Sequence, residues 1–167
     1  MLKYPSTLKP LFSFISALFI ASILLACDTS TLLKDNYDIQ DAKWFIKDTP
    51  EFSFEVTDTS SNYNVFYNVR NNRSYPYYNL YLTHYLYDAS GKVIHQKLDE
   101  LVLFDPTTGK KLGEGLGDVY DHKILAFKNF TFPHKGIYKI QVKQYMRQNP
   151  LQDIISVGFT IEKTAIK

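Results

Sequence analysis

The chain has 167 residues, one cysteine and a formal charge of +2. That length fits one domain with accessories better than two full domains. Setting aside Lys3 and Lys9 takes its 19 basic residues to 17, equal to its 17 acidic ones; such neutrality argues against nucleic acid as a partner and gives no case for a polybasic grip on anionic lipid.

Residues 1–26 read as a cleaved signal peptide. Lys3 and Lys9 give a positive start, and residues 11–25 (LFSFISALFIASILL) are an uncharged apolar run of 15 residues. A spanning helix needs roughly 20, so the run suits the apolar core of a secretory signal. Leu24-Leu25-Ala26-Cys27 then looks like a lipobox, the tetrapeptide of bacterial lipoprotein processing. The chemistry needs a thiol, because the Cys27 sulfur takes a diacylglycerol through a thioether. Cleavage frees the Cys27 amine for N-acylation. Two or three acyl chains satisfy the rule that stable anchoring takes about two membrane signals. The competing reading is an uncleaved anchor with an incidental cysteine. With the sole cysteine on lipid, the mature chain has no disulfide and no cysteine-based zinc site, and must fold on its hydrophobic core.

Residues 28–41 (DTSTLLKDNYDIQD) lack sustained periodicity, so 27–41 reads as a lipidated tether and 42–167 as the folded domain. From residue 42 the pattern has period two. Phe52, Phe54 and Val56 alternate with polar residues, as do Tyr63, Val65, Tyr67 and Val69. Leu80, Leu82, His84 and Leu86 repeat the alternation, followed by Tyr138, Ile140 and Val142, then Val157, Phe159 and Ile161. Alternation rich in aromatic and β-branched residues predicts half-buried strands. Segments 43–47, 92–104 and 123–132 bring the expected total to about eight. Turn signals separate them at Asn71-Asn72, Ala89-Ser90-Gly91, Pro106-Thr107-Thr108-Gly109 and residues 133–136. The expected fold is all-β, an antiparallel β-sandwich of immunoglobulin-like or jelly-roll-like type. Gly136-Ile137-Tyr138 resembles the step at which a tyrosine hydroxyl ties a sandwich corner.

No catalytic set is visible. The four histidines have no metal-binding spacing, there is no Gly-x-Ser-x-Gly elbow, and no metal or cofactor is expected. His84 falls on an apolar face and reads as a satisfied core histidine. Asp118, Asp121 and His122 read as a solvated loop end before a cation site. Gly113, Gly115 and Gly117 recur at period two, ending on Asp118; one side of this loop is bare, for close approach of a ligand or backbone, or for a bulged strand. Tyr77, Tyr81, Tyr85 and Tyr87 are expected on one face, leaving three open readings: cross-strand packing, a protein contact, or stacking of glycans.

The lipobox, Trp44, Phe52-Ser53-Phe54-Glu55, Asn68-Val69-Arg70-Asn71-Asn72, Tyr75-Pro76-Tyr77 and the residue 112–118 loop occur in order. Phe132-Pro133, Gly136-Ile137-Tyr138, Gln144-Tyr145-Met146-Arg147 and Val157-Gly158-Phe159 follow. This series resembles the gliding-motility lipoprotein H family (GldH) of the Bacteroidetes over nearly the whole mature chain. The resemblance implies a non-enzymatic envelope lipoprotein in gliding machinery associated with type IX secretion. It implies outer-membrane localisation and envelope proteins as partners, and carries over no functional residue but Cys27. The alternative function is a surface lipoprotein binding glycans through the tyrosine face.

Overall fold

The computed structural model describes residues 30–115 and 117–164. The signal segment and Cys27 lie outside the described residues. Among the described residues ten strands run in chain order: β1 (Thr31–Asp38), β2 (Lys43–Trp44), β3 (Glu51–Val56), β4 (Tyr63–Asn72) and β5 (Asn79–Tyr87). β6 (Val93–Val102), β7 (Val119–Phe130), β8 (Gly136–Gln144), β9 (Leu151–Gln152) and β10 (Ile154–Lys163) complete them. They form two four-stranded antiparallel sheets, ordered β1-β10-β4-β7 and β3-β8-β5-β6, with β2 and β9 as a small ribbon.

Period-two alternation becomes burial directly. In β3 the burial alternates residue by residue, so Phe52, Phe54 and Val56 point inward. From the other sheet Tyr63, Val65, Tyr67 and Val69 of β4 meet Val157, Phe159 and Ile161 of β10 in the same core. Rings do much of the filling: Phe132 packs edge-on against Phe54, Tyr63 and Tyr138 at centroid distances of 5.7, 5.2 and 4.9 Å. Such geometry aligns ring edges with ring faces and adds to simple area burial. Trp44 is fully buried, and its Nε1–H donates to the Asp48 carbonyl at 2.8 Å. The corner tyrosine is present, with the Tyr138 hydroxyl donating to the His134 carbonyl at 2.7 Å.

The expected tether requires correction. Residues 31–38 are a strand, paired along β10 from Thr31↔Glu162 to Asp38↔Ser156. Its side chains carry little apolar alternation because it is an edge strand held chiefly by backbone pairing. Gly158 permits that pairing: a Cβ there would overlap the Asp35 carbonyl and the Asn36 side chain. The pairing starts four residues after Cys27 in sequence, leaving little room for a linker.

Candidate functional site

Four regions hold the chemistry-bearing side chains, and they differ in how far those side chains are already engaged. The outer face of the second sheet carries the tyrosine row. Tyr81 is 36% exposed, while Tyr85 and Tyr87 are half-buried. The register Leu82↔Gln144 sets Tyr145, which the sequence reading missed, opposite Tyr81. Tyr81 faces Glu100 across the β5–β6 pair and hydrogen-bonds to it; the Tyr87 hydroxyl donates to Gln141 Oε1 at 3.3 Å. Tyr77 does not join this row. It precedes β5, stacks edge-on against Tyr75 at 5.7 Å and donates its hydroxyl to Gln148 Oε1.

The outer face of the first sheet forms a concave cleft of about 740 Å³, lined by Lys34, Asn36, Asn68, Arg70, Lys123 and Glu162 among others. Most of its polar groups answer one another. Arg70 holds Asp121 through two hydrogen bonds of 2.7 and 3.2 Å, Lys123 meets Glu162 at 2.9 Å, and Asn68 bonds Thr160. The strand alternation separates the sequence trio at this end: Asp121 is exposed, whereas His122 is buried and bonded to Asn71 Oδ1 at 2.9 Å. Burial holds the His122 pKa below its ordinary value. Among the described residues no three His, Cys, Asp or Glu side chains are grouped to hold a metal ion.

Between the sheets lies a buried polar chain that only the register reveals. Tyr67 of β4, His84 of β5, and His95 and Asp99 of β6 meet there. The Tyr67 hydroxyl donates to Asp99 Oδ2 at 2.8 Å and is also in short contact with His84 Nδ1. Its proton committed to Asp99, the Tyr67 oxygen accepts from His84 Nδ1–H. His84 Nε2 therefore accepts from His95 Nδ1–H, at 2.8 Å. Lys97 caps Asp99 at 2.5 Å. The two imidazoles stack at 5.0 Å, and Phe127 lies against both, 5.2 Å from His84 and 4.2 Å from His95. Burial, reinforced by the neighbouring His95, lowers the His84 pKa to about 4, and burial lowers that of His95. His84 is thus the satisfied core histidine expected from its place on an apolar face.

The fourth region is a cleft of about 410 Å³ at the end of the sandwich where Asp38, Asn72 and Val119 lie. Its wall includes Tyr75, Tyr77, Tyr78, Phe104 and Tyr120, with Arg73 and Lys111. Residues 72–78 and the glycine loop, the two most distinctive segments of the sequence, meet here. The Arg73 N–H donates to the Asp118 carbonyl at 2.8 Å, and the Arg73 guanidinium lies 3.9 Å from the Asp118 carboxylate. Glu114 and Asp121 exchange backbone hydrogen bonds of 2.9 and 2.7 Å, which fold the loop onto β7. The bare side of the loop is filled by the chain itself. A Cβ at Gly113 would overlap the Asp121 carbonyl and the His122 ring, and one at Gly115 would overlap the Val119 carbonyl. Those two glycines admit a neighbouring backbone; Gly117, at φ +70, supplies a turn open to solvent.

The architecture defines a class: a two-sheet antiparallel β-sandwich with an internally satisfied core and an aromatic cleft at one end. The GldH lipoprotein family profile matches residues 31–161. The chain belongs to that family. It is 34% identical over 158 residues to a protein of Christiangramia forsetii named gliding motility lipoprotein GldH homolog, covering 88% of this chain and 94% of that one. It is 32% identical over 156 residues to gliding motility lipoprotein GldH of Flavobacterium johnsoniae, covering 87% and 94%. Among solved structures it is similar to an infectious bursal disease virus protein, with a TM-score of 0.37 and 15% identity, covering 81% of this chain and 32% of that one. A likeness that distant carries no argument about function.

Proposed function

We propose that this chain is a non-enzymatic component of the gliding-motility machinery associated with type IX secretion, acylated at Cys27 and held on the outer membrane by that lipid. The support is the family match along residues 31–161 together with the names of the two relatives. The lipobox ahead of β1 adds the anchoring chemistry. Envelope proteins of the same apparatus are its partners in this reading.

The geometry adds a consequence for orientation. Because β1 begins at Thr31, a lipid on Cys27 holds the Thr31 end of the sandwich close to the bilayer. β1 has eight residues, so its far end stands roughly 26 Å away at about 3.3 Å per residue. The aromatic cleft lies at that far end and faces away from the membrane. The tyrosine row, by contrast, is engaged in cross-strand contacts, which favours packing over a glycan platform there.

Intact-mass measurement of the chain purified from its native membrane tests the anchor. The expected mass lacks residues 1–26 and carries a diacylglycerol and an acyl chain on Cys27. Retention of the leader with an unmodified thiol contradicts it. The Cys27→Ala chain is expected to leave the membrane fraction or keep its leader.

A further inference from the structure

The distal cleft differs from the other three regions in its charge and in its unspent groups. Among the described residues its wall carries two cations, Arg73 and Lys111, and no carboxylate, Asp118 standing just outside it, on a protein whose charges otherwise nearly cancel. The sole described partner of the Arg73 guanidinium is Asp118, at 3.9 Å, with both side chains largely exposed, at 75% and 82%. An exposed pair at that distance is weak. Lys111 spans the Tyr120 ring at 4.8 Å and donates to the Gly115 carbonyl at 3.2 Å, which aims its ammonium along the wall. Tyr78 is 46% exposed, and among the described residues its hydroxyl donates no hydrogen bond.

The backbone around the cleft is closed. The N–H groups of Leu103 and Phe104 both go to the Tyr78 carbonyl, and that of Leu112 goes to the Leu103 carbonyl. These three N–H groups are therefore already engaged and offer a peptide laid along the cleft none of the main-chain bonds that strand addition relies on. What remains is the exposed Tyr78 ring with the half-buried rings of Tyr77 and Phe104, flanked by positive charge and a free phenol, over a Tyr120 ring buried beneath Lys111. Ring surface suits the flat C–H faces of a pyranose, the two cations suit a carboxylate, and the phenol suits a sugar hydroxyl. A volume of about 410 Å³ lies within the usual range for small-ligand pockets, roughly 300–1,000 Å³.

We propose that this cleft, built from Tyr77, Tyr78, Phe104 and Tyr120 with Arg73 and Lys111, is a binding site for a carboxylate-bearing saccharide. Saccharide contact thereby falls on Arg73, Tyr77, Tyr78, Phe104 and Lys111 and not on the Tyr81-Tyr85-Tyr87 row. The binding rests on the cleft alone; the lipid anchor adds only that the cleft points away from the bilayer.

The test is calorimetric titration of the full chain, purified in detergent, with a galacturonate hexamer, a neutral galactose hexamer and a glutamate hexamer. The galacturonate hexamer is expected to bind at least about tenfold more tightly than either of the others, with an affinity that falls as salt rises. Arg73→Gln and Lys111→Gln should each weaken it by about three- to tenfold, the latter keeping an amide able to reach Gly115. Asp118→Asn should tighten it, because it releases Arg73. Tyr78→Ala should weaken it by about tenfold, and Tyr81→Ala should change nothing. Unchanged melting curves show that each variant is folded. No binding of the galacturonate hexamer, equal binding of the glutamate or neutral hexamer, or binding lost on Tyr81→Ala but kept on Tyr78→Ala overturns the proposal. Cys27→Ala should leave the titration unaltered, so failure of the anchor and failure of the cleft are read separately.

Discussion

The buried Tyr67-His84-His95-Asp99 chain and the distal aromatic cleft are made of the same materials, rings and charges, yet they behave oppositely. In the interior each donor meets an acceptor: Tyr67 serves Asp99, His84 serves Tyr67, and His95 serves His84. Among the described residues no buried side-chain nitrogen or oxygen lacks a partner. In the cleft the cations are exposed, and among the described residues their partners are an exposed aspartate for Arg73 and a carbonyl and the Tyr120 ring for Lys111. Satisfaction marks a group that holds the fold; a surplus of unspent donors marks a surface that takes something else.

Changes in the two regions should separate cleanly. The largest effect is expected from pH. His84 has its pKa lowered to about 4, so the unfolded chain, with an ordinary histidine near 6.5, takes its proton first on acidification. The stability contributed by neutral His84 is complete above about pH 6.5 and is lost as pH falls toward 4, on the order of 2–3 kcal/mol. Denaturant unfolding at stepped pH should show this slope, and His84→Gln should flatten it. Tyr67→Phe comes next. It leaves Asp99 and His84 Nδ1–H without their shared hydroxyl and should cost about 1–3 kcal/mol in chemical denaturation.

Gly115→Ala lies between the two regions in kind. Its Cβ would collide with the Val119 carbonyl and crowd Tyr120, pushing the loop off β7 and Lys111 off its carbonyl. A loss of about 1–3 kcal/mol is expected from such overpacking, together with loss of saccharide binding by the same titration. Tyr78→Ala should be the mildest for stability, within about 0.5 kcal/mol by thermal melting, since the ring is 46% exposed. A large drop there would show the cleft to be structural and would erase the distinction.

What the sequence disclosed follows from what period two encodes. Alternation reports which face of a strand is buried, so β3, β4, β5, β8 and β10 were legible, and with them His84 as a core residue and Tyr138 as a corner. Alternation says nothing about an edge strand tied by its backbone, which is why residues 31–38 looked like a linker although Gly158 makes room for them. It is equally silent on register. Residues His84, His95, Asp99 and Tyr67 come from three strands, and only the pairings Leu86↔His95 and Leu82↔Asp99 bring the two β6 residues beside His84. The same blindness hid Tyr145 beside Tyr81 and left Tyr77 in the wrong group. The cleft joins residues 73–78 to residues 104–120 through loops. No periodicity marks such a meeting, although both segments stood out for their glycine, proline and tyrosine content.

The role in gliding is tested most directly by spreading of a clean deletion strain on a surface. The deletion is expected to abolish spreading, the intact chain to restore it, and the Cys27→Ala chain to fail although it is produced at the same level. Normal spreading without the protein, or full rescue by the chain lacking the Cys27 thiol, contradicts the account.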